Sequence, residues 1–320
     1  MMSYVHPELA PVLDKLPERP ENPVVDIQAT RDGFKALMAP WMEAVAADTT
    51  VEIEEAACTG PDGNRIDLQI VRPTALPRDA ANPLPAVLYI HGGGFSFGEL
   101  DGPSPMARQA TVAAGAVVVN VHYRLAPEHR YPAGVEDCYA ALVWIAAHAQ
   151  RLGIDPDRIA VTGASAGASL TAAVCLMSRD RDGPAVAFQG LLIPLLDDRD
   201  DYPSRRRVTD RRFTNGPGIP RTWDTYLGAD RGDAPAYAAP ARATDLRGLP
   251  AAYVLTCGLD PLRDEGLDFA RRLIEADVPV EIKDVPGAWH LFEAYAPETS
   301  VTRRTTAHWL RALRDALNPA

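Results

Sequence analysis

From Val51 onward the chain sets short, unbroken apolar runs between stretches of helical periodicity, and few folds accept that order. The first is "AVLYIH" (86–91), followed by "AVVVNVH" (116–122), "RIAVTG" (158–163), "VAFQGLLIP" (186–194) and "AAYVLTC" (251–257), and the more charged "VPVEIKDV" (278–285) completes the list of strands. A strand apolar on both sides must be covered on both faces, so the pattern predicts a mostly parallel sheet between two layers of helices. One such helix is expected over 135–149, where Val135, Cys138, Leu142, Ile145 and Ala149 are spaced 3, 4, 3 and 4 apart. Ahead of these, "VEIEEAAC" and "RIDLQIVR" alternate with period two around the turn "TGPDGN". They read as an antiparallel hairpin at the sheet's edge. In open α/β sheets ligands collect outside the carboxyl ends of the strands. The residues just after each apolar run are therefore the candidates for chemistry.

Residues 1–48 differ from the rest: they are helical in pattern and punctuated by proline. In "DIQATRDGFKALMAPWMEAVAA", Ile27, Phe34, Leu37, Met38, Trp41 and Met42 roughly follow one helical stripe, which must lie against something.

Charge and cysteine usage exclude several function classes. A net charge of −11 argues against nucleic acid as a partner, since phosphate binding needs a basic surface. The basic run "SRRRVTDRR" (204–212) is interrupted and flanked by aspartates and reads as a solvated loop. The four cysteines, Cys58, Cys138, Cys175 and Cys257, form no CxxC pair, so free thiols in a reducing compartment are expected. The opening residues carry neither a basic nor a continuous apolar signal segment, and no uncharged run reaches the ~18 residues that span a bilayer. A cytoplasmic location without membrane insertion is expected.

Two strand ends are crowded with glycine. After "RIAVT" comes Gly163-Ala164-Ser165-Ala166-Gly167, a G-x-S-x-G string between a strand and a helix. That setting turns the chain sharply, projects the serine hydroxyl and needs glycine where strand and helix backbones approach. Ser169 falls one helical turn later and reads as structural. After "AVLYI" comes His91-Gly92-Gly93-Gly94-Phe95, where three glycines leave backbone N–H groups unobstructed for an oxyanion.

A serine nucleophile needs a base, and the base needs an orienting acid. In the hydrolase order of serine, acid and histidine, only His290 and His308 of the seven histidines follow Ser165. His308 lies in an amphipathic terminal helix; His290 follows a strand in the loop "PGAWH" and takes the role. For the acid, Asp260 and Asp197 both follow apolar runs. Asp260 is preferred because its strand is nearer in sequence to the base loop, and Asp264, Glu265 and Asp268 read as the acidic start of the next helix.

Together "HGGGF", "YRLAPEHRYPAGVEDC", "GASAG", "DPLRDEG" and His290 resemble the hormone-sensitive lipase family of α/β-hydrolases, in particular its bacterial carboxylesterases. The resemblance covers roughly residues 50–310. It implies an α/β-hydrolase fold with a mostly parallel eight-stranded sheet. A catalytic domain over 49–320 would carry a helical cap made from residues 1–48 and an insertion at about 197–230. It also implies Ser165 as nucleophile, Asp260 as acid, His290 as base, and the amides of Gly92, Gly93 and Ala166 as the oxyanion hole. No cofactor and no metal are called for. The family adds that the loop "YRLAPEHRYP" braces the oxyanion segment. The chain departs from the pattern at Ala164, where an acid or threonine is common, and at Leu291, where glycine is frequent.

The expected activity is hydrolysis of small-molecule esters with roughly two- to eight-carbon acyl groups, through an acyl-enzyme. Phe95, Phe97, Trp289 and Phe292 are candidate walls of the acyl site. Trimming residues 1–40 is expected to alter chain-length preference and stability more than the chemistry at Ser165. An amidase, a deacetylase or an acyltransferase of a small metabolite could use the same residues, and a ligand receptor is a further alternative in this fold. The retained His290 favours an enzyme. No strand is followed by G-x-G-x-x-G, so a dinucleotide-binding oxidoreductase is set aside. A homodimer is left open.

Overall fold

A computed structural model describes residues 4–18, 26–46, 49–76, 82–98, 104–199, 201–228 and 231–319. The elements run α1 (Ala10–Leu13), α2 (Ile27–Ala46), β1 (Val51–Thr59), β2 (Arg65–Pro73), β3 (Leu84–Ile90), α3 (Pro105–Ala114), β4 (Val117–His122), α4 (Ala133–Ala147) and α5 (Ala149–Leu152). They continue with β5 (Ile154–Ala164), α6 (Ala166–Asp180), β6 (Phe188–Leu192), α7 (Pro203–Arg207), α8 (Ile219–Leu227), β7 (Ala251–Leu259), α9 (Arg263–Glu275), β8 (Val280–Trp289), α10 (Phe292–Tyr295) and α11 (Ser300–Leu317). The expected helix over 135–149 stops two residues early, and a separate turn of helix, α5, begins at Ala149.

All eight strands form one sheet in the order β1-β2-β4-β3-β5-β6-β7-β8. The first hairpin is antiparallel, β2 meets β4 antiparallel, and every other pairing is parallel. Alternate residues of each central strand feed opposite cores. Ala86, Leu88 and Ile90 of β3 pack with α4, α6 and α9 on one face. Val87 and Tyr89 pack with α1, α3 and α11 on the other. This two-sided burial is why the runs are continuously apolar. All four cysteines are buried free thiols.

Two further groups of elements complete the fold. The helix α2 carries the expected stripe, with Met38 only 5% exposed and Phe34 against Phe97, ring centroids 4.9 Å apart. The second group, α7 and α8, lies between β6 and β7 in sequence. Its helix α8 packs Trp223 and Tyr226 onto Phe95. Residues 1–3, 19–25 and 47–48 of the N-terminal segment, and 200 and 229–230 of the insertion, lie outside the described residues.

The stretch 204–212 departs from the expectation of a solvated loop. Arg205 is 3% exposed, and its guanidinium meets the Glu265 carboxylate at 2.6 Å. Glu265 is likewise not a solvated helix-start charge. It is fully buried and also accepts the Asp197 N–H at 2.9 Å. Burial pushes its carboxyl up, and the Arg205 charge pulls it back. Ser204 adds a bond from its hydroxyl to the Pro261 carbonyl (2.8 Å) and one from its N–H to Asp264 (2.7 Å). The start of the insertion is thus fastened to the turn that carries Asp260.

Candidate active site

The carboxyl ends of β3, β5, β7 and β8 converge on one point. Ser165 follows β5 and caps α6 with φ 57° and ψ −121°. A non-glycine residue held there stores about 1–3 kcal/mol of strain. Its N–H donates to the Leu192 carbonyl (2.8 Å) and its carbonyl accepts from Ala168, Ser169 and Leu195, which hold the strained turn from both sides. The flanking glycines are steric requirements. A methyl group placed at Gly163 would lie 2.5 Å from the Ile90 carbonyl oxygen, and one at Gly167 would overlap that oxygen and sit 2.6 Å from the carbonyl of His91. Strand β3 therefore passes α6 in backbone contact.

Beyond β8, His290 brings its Nε2 to 2.9 Å from the Ser165 Oγ and its Nδ1 to 2.7 Å from the Asp260 Oδ2. The other carboxylate oxygen of Asp260 accepts the Leu262 N–H at 2.9 Å. Ser165, His290 and Asp260 are 8%, 4% and 0% exposed, so water does not compete for these bonds. The Asp197 carboxylate is engaged elsewhere, accepting from Arg199 (2.8 Å) and the Tyr202 hydroxyl (2.9 Å). Ser169 is buried within α6, and His308 faces Tyr253 and Glu281 on the outer surface.

Leu291 accounts for the missing glycine after the histidine: it adopts φ 59° and ψ 30° itself. An L-residue in that left-handed region costs about 1–2 kcal/mol, and the outlay holds His290 at the start of the turn into α10. Within α10, Glu293 is buried near His290 and Asp260, and burial pushes its carboxyl up to about 7.

The glycine loop completes the site. The amides of Gly92, Gly93 and Ala166 donate to no acceptor among the described residues. Ala166 also opens α6, whose dipole favours negative charge there. A methyl group at Gly92 would lie 2.6 Å from the Ala164 carbonyl oxygen and 3.5 Å from the Ser165 Cβ, so loop and elbow touch. At Gly93, with φ 125°, it would overlap the Phe97 carbonyl. His91 locks the loop. Its ring stacks on Tyr123 at 4.3 Å, its Nδ1–H donates to the Gly92 carbonyl at 2.8 Å, and burial holds its pKa down to about 4, so it is neutral at pH 7.

The four aromatic residues expected as acyl-site walls divide. Trp289 and Phe292 are completely buried in the core beside α11. Phe95 is buried against α8, its ring stacked on Tyr226 at 3.8 Å. These three pack the interior. Phe97 alone is half-buried, lying beside Gly93 and Gly94. Sequence reasoning missed Tyr226, Trp223 and Thr222 of α8, which approach the glycine loop, because nothing local ties that helix to residues so far away.

Residues 87–294 match a family model described as the alpha/beta hydrolase fold, nearly two thirds of the chain and all the strand ends just described. The chain belongs to the α/β-hydrolase family. Within the family it is of the hormone-sensitive lipase type. It is 37% identical to the esterase LipI of Mycobacterium tuberculosis, over 98% of this chain and 96% of that one. It is 41% identical to the carboxylesterase NlhH of the same organism, over 73% and 75% of the two chains. Among solved structures, a bacterial heroin esterase superposes with a TM-score of 0.90 at 40% identity, covering 98% of both chains.

Proposed function

We propose that this family member is a serine carboxylesterase acting on uncharged small-molecule esters of short to medium acyl chains. The continuous path from the Ser165 Oγ through the His290 ring to the Asp260 carboxylate carries the reading. The names of the relatives point the same way.

As Ser165 Oγ attacks the ester carbonyl, His290 Nε2 takes its proton and Asp260 stabilises the imidazolium. The carbonyl oxygen gains its charge facing the N–H groups of Gly92, Gly93 and Ala166. Those donors are fixed before reaction, so they need no reorganisation when the charge develops. Collapse breaks the ester bond. His290 returns the proton to the departing alcohol and leaves the acyl group on Ser165. Water, deprotonated by the same ring, then attacks the acyl-enzyme, and the imidazolium returns that proton to Ser165 Oγ as the acid departs. Apart from the ester and water, every group in this cycle belongs to the polypeptide. Among the described residues no helix is long and apolar enough to cross a membrane.

A series of nitrophenyl esters of increasing chain length tests this. Best turnover on roughly two- to eight-carbon acyl groups is expected, surviving exhaustive chelation. A preference for long-chain emulsions would overturn the substrate class, and loss on chelation restored by metal would overturn the mechanism.

A further inference from the structure

The glycine loop is gripped by an element that the chemistry above does not use. Arg31, in the second turn of α2, donates from Nε to the Ser96 carbonyl at 2.9 Å and from a terminal nitrogen to the Ala126 carbonyl at 3.4 Å. Its two terminal nitrogens also meet both Glu128 carboxylate oxygens at 2.8 Å. One turn further along α2, Phe34 packs on Phe97. The N–H groups of Ser96 and Phe97 both donate to the Gly93 carbonyl, at 2.9 and 3.0 Å, and the Ala126 N–H donates to the Phe95 carbonyl at 2.9 Å. The Ser96–Phe97 peptide therefore links the Arg31 guanidinium to the Gly93–Gly94 peptide, which the Gly93 Cα joins to the Gly92–Gly93 peptide that carries the Gly93 N–H.

We propose that Arg31 is a positioning residue for the oxyanion hole: it ties α2 to the glycine loop and sets the direction of the Gly92 and Gly93 N–H groups. The inference rests on the esterase reading above. A guanidinium is a planar fork. Pairing both terminal nitrogens with Glu128 fixes the plane, which leaves Nε–H aimed at the Ser96 carbonyl. A lysine, with its point charge on a flexible stem, cannot hold both partners in one plane. Arg31 and Glu128 are 22% and 49% exposed, and ion pairs so open to water contribute little to stability. The pair's value lies in orientation. The N-terminal helix then serves the transition state as well as enclosing the substrate, so trimming residues 1–40 should reach the chemistry at Ser165 as strongly as chain-length preference, where the sequence suggests a lesser effect on the chemistry.

The test compares wild type with Arg31→Gln, Arg31→Lys, Glu128→Gln, the Arg31→Gln/Glu128→Gln double variant and Phe34→Ala on a short nitrophenyl ester, together with inhibition by a trifluoromethyl ketone transition-state analogue. Direct loss of one oxyanion donor costs about 10²–10³ in kcat, so misdirected donors should cost roughly 10–100-fold. Arg31→Gln is expected to lower kcat by that factor with little change in KM or melting temperature, and to weaken the analogue in proportion. Lysine should not rescue, and the double variant should be no worse than Arg31→Gln alone. Unchanged kcat and analogue affinity in both Arg31→Gln and Glu128→Gln, with a raised KM or shifted chain-length preference, would overturn the proposal and leave α2 as a wall. Full hydrolysis by Ser165→Ala would instead overturn the underlying esterase reading, so the two failures are separable.

Discussion

Asp260→Asn tests the acid with nearly no change in volume. One Asp260 oxygen accepts from His290 Nδ1 and the other from the Leu262 N–H, in a site with 0% exposure. An asparagine can keep only one of these acceptors. If its oxygen stays on Leu262, its NH₂ faces Nδ1. The ring must then protonate on Nε2, and it cannot take the Ser165 proton. If the amide flips, the imidazole keeps its tautomer but NH₂ meets the Leu262 N–H with no water to separate them. An unmade bond of that kind costs about 1–3 kcal/mol, so the first orientation should dominate. The equivalent change in serine-protease triads lowers kcat about 10⁴-fold, or about 5.4 kcal/mol of barrier, and a loss of that order is expected here at neutral pH. The assay is kcat on a nitrophenyl ester with active sites counted, run beside Asp197→Asn. Asp197 is held by Arg199 and Tyr202, so its variant should lose stability before activity. An Asp260→Asn enzyme within tenfold of wild type, or an Asp197→Asn enzyme equally damaged, would refute the reasoning.

Leu291 holds a left-handed conformation that β-branching opposes. Leu291→Val should lower both kcat and melting temperature, whereas Leu291→Gly should keep kcat near wild type, as steady-state kinetics and thermal melts would show. The Glu293 carboxyl, raised from 4.5 to about 7, stays protonated in the fold where the unfolded chain has lost its proton. Its linkage therefore removes stability as pH rises from about 4.5 to about 7, by at most about 3 kcal/mol. Glu293→Gln should raise the melting temperature at pH 8 and not at pH 4.5. Arg205→Met would leave Glu265 buried without its cation, at a cost of about 3–5 kcal/mol; urea titration should recover much of that loss in Arg205→Met/Glu265→Leu.

The central strands were legible because their apolar runs are continuous, a direct result of burial on both faces, and the edge strands β1 and β8 because apolar and polar residues alternate where one face is open; each expected strand meets an observed one with ends shifted by a few residues. The residues at the strand ends were legible for a related reason. Glycines at 92, 93, 163 and 167 are demanded by backbone-to-backbone contacts with Ala164, Phe97, Ile90 and His91, and glycine is conspicuous in a sequence. Long-range polar partnerships left no such mark. Arg205 sits in a run that looks solvent-facing, yet its partner Glu265 lies 60 residues away. Arg31 lies in register with the apolar stripe of α2, between Ile27 and Phe34, but its charge keeps it out of an apolar reading, and its acceptors are 65 to 97 residues distant. The aromatic residues misled because ring size marks burial without saying which side of the backbone is buried. Trp289 and Phe292 flank His290 in sequence and turn into the core beneath it.

Covalent capture tests the central claim most directly. The enzyme is treated with a fluorophosphonate, digested and mapped by mass spectrometry, with Ser165→Ala, His290→Ala and Ser169→Ala treated in parallel. One phosphonyl group on Ser165 is expected in wild type and in Ser169→Ala, with hydrolysis lost in step with labelling. No label is expected in Ser165→Ala and only slow labelling in His290→Ala. A label on another residue, or ester hydrolysis persisting in Ser165→Ala, would contradict the account.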